Sequence, residues 1–370
     1  METNKLVMSD NFIPTEATSP WEIVVDEYKA RGIKQAQLAE MMGIQPRNLN
    51  RCIKNTAEIT PYMADCLEKA FGIPAKEWLA FQRGYEEDLE NIAKRNIRNE
   101  EAERLENILQ PLLNLKELYK ALKIKPYHYV CERIEELEGK FHIPVNEIVE
   151  CCGVGAFKKS EKSKTDERNQ NTWVLLAYYS AMNNKPVNEY VKGNAEMAAR
   201  EIAEKANAGT LKEANIKAVL SDYGISYSVV KKLEKTPIDA YSMWALEYPS
   251  ITVTHRYNDM SRLVFNVLHE LKHIESHLEK GSKRSFISSE DSYNSTSKEE
   301  LEANKFAEDM LIPPAVWSDI INGQAQLSKI VQYLKKKAKE KNLSKDIVVW
   351  RFKYSTGFYN LGGVKTTSIS

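Results

Sequence analysis

The sequence predicts a mainly α chain with a small β element, an α+β fold, on three observations. Val264, Val267, Leu268, Leu271, Ile274 and Leu278 recur at the three-to-four-residue spacing of an amphipathic helix. Between Lys34 and Asn55, apolar, small and glycine residues stand at the spacing of two short helices joined by a tight turn. One β-branched run, Pro249-Ser250-Ile251-Thr252-Val253-Thr254-His255, reads as a strand. The pattern divides the chain into a polar tail over 1–20, a five-helix segment over 21–93, a helical connecting region over 94–240 and a carboxy-terminal segment over 241–370.

In the amino-terminal segment, Leu38-Ala39, Gly43-Ile44, Leu49 and Ile53 carry helix-turn-helix spacing. Ala39 is small where two helices cross, and Gly43 permits the turn between them. Ile44, Leu49 and Ile53 face a core, which leaves Gln45, Arg47, Asn48, Asn50, Arg51 and Lys54 projecting outward. Arginine reads guanine edges, asparagine and glutamine read adenine edges, and lysine and arginine hold phosphates, so this helix suits a major groove. A further helix runs over Thr60–Phe71, with Thr60 as its cap, Pro61 at its first position and Gly72 as its stop. Modules of this class pair to read two half-sites, so a homodimer on double-stranded operator DNA is expected.

The connecting region shows mixed helical spacing at Leu105, Ile108, Leu112, Leu115 and Leu122, interrupted by Pro111. Lys158–Asn171 is charged and reads as an exposed loop, followed by helices at Thr172–Met182 and Ala195–Ala208. Gly281–Ser297 is serine-rich and reads as a polar rim, and Ile347–Phe352 as a carboxy-terminal strand. Cys151 and Cys152 read as ordinary packing residues, since the chain's 5 cysteines show no disulfide or CxxC spacing.

The carboxy-terminal helix carries His269-Glu270-Leu271-Lys272-His273, an HExxH pattern, in a chain with only 6 histidines. Residues i and i+4 stack on one helix face, so both imidazoles reach one metal ion. Glu270 lies about 100° around the helix, placed to take a proton from metal-activated water without ligating the metal. The opposite face holds the apolar stripe, so the histidine face is expected to open on a cleft or solvent, and Lys272 to point away from the metal. A hydrolytic zinc site takes a third protein ligand. The next amphipathic stretch, stopped by Pro313-Pro314, offers Glu300, with Asn304 one turn on as an outer partner; Glu302 and Glu299 remain alternatives. His255 and Tyr257 are candidate donors to a developing oxyanion.

Residues 21–93, with AQLAEMMGIQPRNLNRCIKN, Ile59-Thr60-Pro61, Ala70-Phe71-Gly72 and Trp78-Leu79, resemble HigA-type antitoxins of the XRE helix-turn-helix class. Residues 241–315, with YPSITVTHRYND, HELKH and EELEANKFAEDMLIPP, resemble the ImmA/IrrE metallopeptidases. The connecting region resembles that of long HigA-like regulators at Gly153–Ser160 and the helix holding Trp173. The second resemblance implies a zincin-like domain with zinc on His269, His273 and Glu300 and with Glu270 as base. Lys272 departs from it, standing where the family has glycine. Together they imply a transcriptional repressor or antitoxin carrying a zinc endopeptidase that cleaves a repressor protein. The alternative is an antitoxin that binds a cognate toxin and keeps a catalytically silent peptidase-like domain. The 52 basic and 52 acidic residues balance, so DNA contact must come from a local patch. The first residues, METNKLVMSDNF, lack an apolar signal core and no run of 18 apolar residues occurs, so a cytoplasmic protein without a membrane partner is expected.

Overall fold

The computed structural model describes residues 13–151, 165–245, 247–289, 297–323, 329–358, 361 and 367–369. The chain forms two compact units, residues 1–104 with 129–131, and residues 105–128 with 132–370. The described residues are mostly helical with one four-stranded sheet, the expected α+β class.

The first unit holds α1 (Pro20–Ala30), α2 (Gln35–Met41), α3 (Pro46–Lys54), α4 (Pro61–Phe71) and most of α5 (Ala75–Leu109). Gly43 turns the chain between α2 and α3 at φ +69°, a left-handed value that a side chain resists. Thr60 Oγ1 accepts the Met63 N–H and Gly72 closes α4 at φ +74°, the start and the stop legible in the sequence. Trp21, Val24, Leu38, Ala39, Leu49, Leu67 and Trp78 form the core. Two expectations change here. The end of the polar tail is held, because the Arg95 guanidinium donates to the carbonyls of Ile13, Pro14 and Thr15. The fifth helix is one unbroken rod across residues 93–94, since Ala75–Leu109 contains no proline.

The second unit continues with α6 (Leu115–Leu122), α7 (Val130–Phe141), α8 (Val145–Cys151), α9 (Glu167–Met182), α10 (Asn194–Asn207) and α11 (Glu213–Asp222). Strands β1 (Ser226–Val229), β2 (Ala240–Ala245) and β3 (Tyr248–Val253) precede α12 (Met260–Ser276). Then come β4 (Ser285–Ser288), α13 (Lys298–Leu311), α14 (Pro314–Ile321), α15 (Ile330–Glu340) and α16 (Lys345–Thr356). The strand order is β1-β3-β2-β4, with β1 parallel to β3 and the other pairs antiparallel. The register sets Ala240 opposite Ser288 and Ser242 opposite Phe286. Period-two alternation therefore puts Ala240, Ser242, Phe286 and Ser288 on one face, towards α12. The other face sets Tyr241 edge-on to Trp173 of α9.

The core of this unit draws on α10, α11 and β1 as well as the segment after residue 241. Each fully buried Leu, Ile, Val or Phe there contributes roughly 1.5–3 kcal/mol of transfer free energy. Four expectations are corrected. Ile347–Phe352 is helical, because Ser344 and Gly357 delimit α16 and its β-branched residues bury in a helix-packed core. Asn169 and Asn171 lie buried in α9 rather than in a loop. Asn169 Nδ2 donates to Glu234 O, and Asn171 Nδ2 donates to Leu112 O. Residues 158–164 of that stretch, Cys152 and Gly153–Ser160 lie outside the described residues. The serine-rich rim contains β4, paired to β2. The histidine face of α12 is enclosed rather than open, with His269 and His273 fully buried.

Candidate metal centre

Asp259 caps the start of α12, its Oδ1 accepting the N–H groups of Ser261 and Arg262. The helix's apolar stripe is buried as expected. Its polar face is buried too: His269, Glu270 and His273 have no exposed surface. The cover comes from the sheet on one side and from α13 on another.

The Nε2 atoms of His269 and His273 lie 3.0 Å apart. Glu300, from the first turn of α13, approaches with Oε2 at 3.3 Å from His269 Nε2 and Oε1 at 3.5 Å from His273 Nε2. These three residues form the one group among the described residues able to hold a metal ion. The other glutamates are engaged elsewhere: Glu299 pairs with Arg284, and Glu302 Oε2 lies 3.2 Å from His277 Nε2.

Protons place the lone pairs. His269 Nδ1–H donates to Asn304 Oδ1 at 2.9 Å, the outer contact expected from the sequence. That leaves the His269 Nε2 lone pair facing inward. His273 Nδ1 meets His277 Nδ1 at 2.9 Å, so His273 can present its Nε2 lone pair to the same point. Burial, reinforced by neighbouring positive charge, holds the His273 pKa far below the usual imidazole range and keeps it neutral. Glu300 Oε2 is buried and has no hydrogen-bond partner. Two imidazole lone pairs and an orphaned carboxylate oxygen converge with no proton to share, an arrangement that a cation satisfies. Tetrahedral zinc with bonds of ~2.0–2.2 Å sets its ligand atoms about 3.3–3.6 Å apart. The two Glu300 separations of 3.3 and 3.5 Å fall in that range, and the 3.0 Å between the imidazole nitrogens is shorter, so the rings must part slightly to admit the ion. The residues present therefore fit such a metal.

Both carboxylate oxygens of Glu270 meet hydroxyls of the sheet. Ser242 Oγ donates to its Oε2 at 2.5 Å, and Ser288 Oγ donates to its Oε1. Burial pushes its carboxyl up to about 7, against the lowering effect of His269 and the two serines. Phe286, between those serines on the same face, stacks on the His273 ring at 3.8 Å between centroids. The Arg284 guanidinium lies over Phe286 at 4.9 Å. Lys272 points off the metal face, as expected, with its Nζ 5.6 Å from the Phe306 ring.

The expected oxyanion donors are engaged elsewhere. His255 Nε2 contacts Glu213 Oε1 at 2.8 Å, and the Tyr257 ring lies under Arg262 at 3.7 Å. Sequence reading missed Ser242, Ser288 and Phe286, which reach the site only through strand pairing. His277 carried a signal, its four-residue spacing from His273.

In the first unit, Gln45 is the cap residue of α3 rather than part of the helix. Gln45, Arg47, Asn48, Asn50, Arg51 and Lys54 are all exposed, while Leu49 is fully buried. No helix among the described residues is long and apolar enough to cross a membrane. Neither a protein-family model nor a curated protein matches the chain.

Proposed function

We propose that this chain is a DNA-binding regulator whose second unit carries a zinc-dependent peptidase centre. This is the function that the resemblance to HigA-type antitoxins and ImmA/IrrE metallopeptidases implies. The observation that carries the enzymatic half is the convergence of one ligand atom each from His269, His273 and Glu300 within 4.8 Å of one another, with Glu270 next in sequence to His269 on the same helix. Zinc, when bound, supplies Lewis acidity and acidifies coordinated water. Asn304 orients His269. Glu270 accepts a proton from the attacking water at a carboxylate oxygen and returns it to the leaving amine nitrogen. Ser242 and Ser288 hold that carboxylate in one orientation, each using one lone pair per oxygen and leaving the other. A raised Glu270 pKa suits a group that both takes and gives a proton near neutral pH.

The DNA-binding half rests on the exposed polar side chains of α3 and its cap, which combine groups for base edges and phosphates. The substrate is proposed to be a repressor protein, including another copy of this chain.

Zinc content per chain tests the centre. One zinc in the wild type, lost in His269→Ala and Glu300→Ala, is expected. A folded wild type that stays zinc-free when zinc is supplied overturns it. Glu270→Gln should keep zinc and lose cleavage.

One observation favours a second reading, a zinc-holding antitoxin with a silent peptidase-like domain. His269, Glu270 and His273 are wholly buried, and Phe286 covers His273. Adding a small hydroxamate to the cobalt-substituted protein separates the two. A changed visible spectrum shows that a ligand reaches the metal and supports the peptidase. An unchanged spectrum supports the silent domain.

A further inference from the structure

His277 is the C-cap residue of α12, one turn beyond His273, and the zinc site as proposed leaves it without a role. Its side chain is 8% exposed, and both of its ring nitrogens are in contact. Nδ1 lies 2.9 Å from His273 Nδ1, and Nε2 lies 3.2 Å from Glu302 Oε2. Proton positions follow from the partners. A carboxylate only accepts, so His277 carries its hydrogen on Nε2 and donates it to Glu302. With that single ring hydrogen its Nδ1 is a bare acceptor, which His273 meets with Nδ1–H. That fixes the lone pair of His273 on Nε2, the atom facing His269 and Glu300.

We infer that His277 and Glu302 are positioning residues for the metal centre, a carboxylate–imidazole relay that sets the tautomer and ring orientation of His273. The inference rests on the metal-centre reading above. A ligand histidine is ordinarily held by a carboxylate or carbonyl directly. Here a second imidazole stands between, and the charge of Glu302 reaches the ligand through that one ring. Neither residue touches the metal point. The two histidine ligands are thus held by different devices, Asn304 on His269 and the relay on His273.

The relay is tested on the full chain with zinc alone as probe, by competition against a chromogenic chelator at one fixed pH. His277→Phe keeps a ring against Phe286, its neighbour at 5.7 Å, and removes the Nδ1 acceptor. It should weaken zinc binding by about 10–100-fold, the range typical when an outer partner is removed. Glu302→Ala should weaken it less, and Glu302→Gln, which keeps an acceptor, least. Glu299→Gln, whose carboxylate serves Arg284, should match the wild type. Nitrogen-15 spectra of the zinc-loaded wild type should show His273 protonated on Nδ1 and His277 bare there.

Wild-type affinity in His277→Phe, or a protonated His277 Nδ1, overturns the relay while leaving the centre standing. A wild type that binds no zinc overturns both. Should His277→Phe fail to fold, the Glu302 variants still decide, because that side chain is 43% exposed. Equal affinity in Glu302→Ala and the wild type would then reject the relay.

Discussion

Helices α3 and α12 carry the candidate functional side chains, and they are built in opposite ways. In α3 a single residue, Leu49, is buried, and the polar groups face outward. In α12, 13 of 17 residues are buried, and the chemistry-bearing ones lie among them. An outward helix needs only an anchor, and its functional groups contribute little to the fold. An inward helix makes its functional groups part of the core, so each buried polar atom must find a partner there. Stability and function should therefore separate in α3 and coincide in α12.

Metal removal gives the largest expected effect. Zinc at a thousand times its dissociation constant stabilises the folded form by about 4 kcal/mol. Chelation should lower the melting temperature of the wild type and leave His269→Ala and Glu300→Ala unmoved. Duplex DNA binding through α3 should survive chelation. If it disappears with the zinc, the separation between the two helices is broken.

The next effect concerns Glu270 in the metal-free chain. Burial raises its carboxyl from 4.5 to about 7, so the fold favours the protonated form. The associated stability is full below pH 4.5 and is lost as pH rises through about 7. The shift corresponds to roughly 3 kcal/mol. His273 works with the opposite sign, since its lowered pKa costs stability as pH falls. Comparing wild type with Glu270→Gln isolates the carboxyl. The variant should be the more stable at pH 8, and the gap should close towards pH 4. A constant gap in chemical denaturation would show that Glu270 does not titrate in this range.

Replacing both serines sharpens the same point. Ser242→Ala with Ser288→Ala removes both donors to a buried carboxylate, and each should destabilise by about 1–3 kcal/mol above pH 7. In Glu270→Gln the same pair of changes should cost less, because no charge is left unpaired. Equal costs in the two backgrounds would mean that the serines matter only as packing.

How much of this was legible follows from the same contrast. The α3 surface follows from Ala39, Gly43, Leu49 and the turn between helices, all local, and the structure exposes every residue so identified. The caps of α4 were legible for the same reason. In α12 both histidines are plain from their spacing, as is a downstream helix with three closely spaced glutamates. Choosing Glu300 among them needs the packing of α13, which turns Glu299 to Arg284 and Glu302 to His277. Ser242, Phe286 and Ser288 carry no local signal, because the register between β2 and β4 alone brings them to α12. The enclosure of the histidine face was illegible for a related reason. Amphipathicity tells which side is apolar and is silent about a polar side satisfied inside the core. The run Ile347–Phe352 misleads for the converse reason, since β-branched residues suit a strand until tertiary packing claims them for a helix.

The smallest effect on stability is expected in α3, and there it carries the most information. Arg47→Ala and Arg51→Ala remove exposed side chains, so folding stability should stay within about 0.5 kcal/mol. Binding to duplex DNA should weaken in both, in ways that differ with role. Removing an arginine that holds a phosphate should reduce the slope of log K against log salt by about 1 and weaken all sequences alike. Removing one that reads a base should leave the slope nearly unchanged and cost about 1–3 kcal/mol on the preferred sequence only. Arg47 stands in the first turn of α3, the end that enters the groove in helix-turn-helix modules, and Arg51 one turn later. Arg47→Ala should therefore change sequence preference and Arg51→Ala the salt slope. Titrations of both variants by fluorescence anisotropy at several salt concentrations would read this directly. If neither variant changes binding, α3 is a solvated face, and its likeness to a recognition helix ends at its outline.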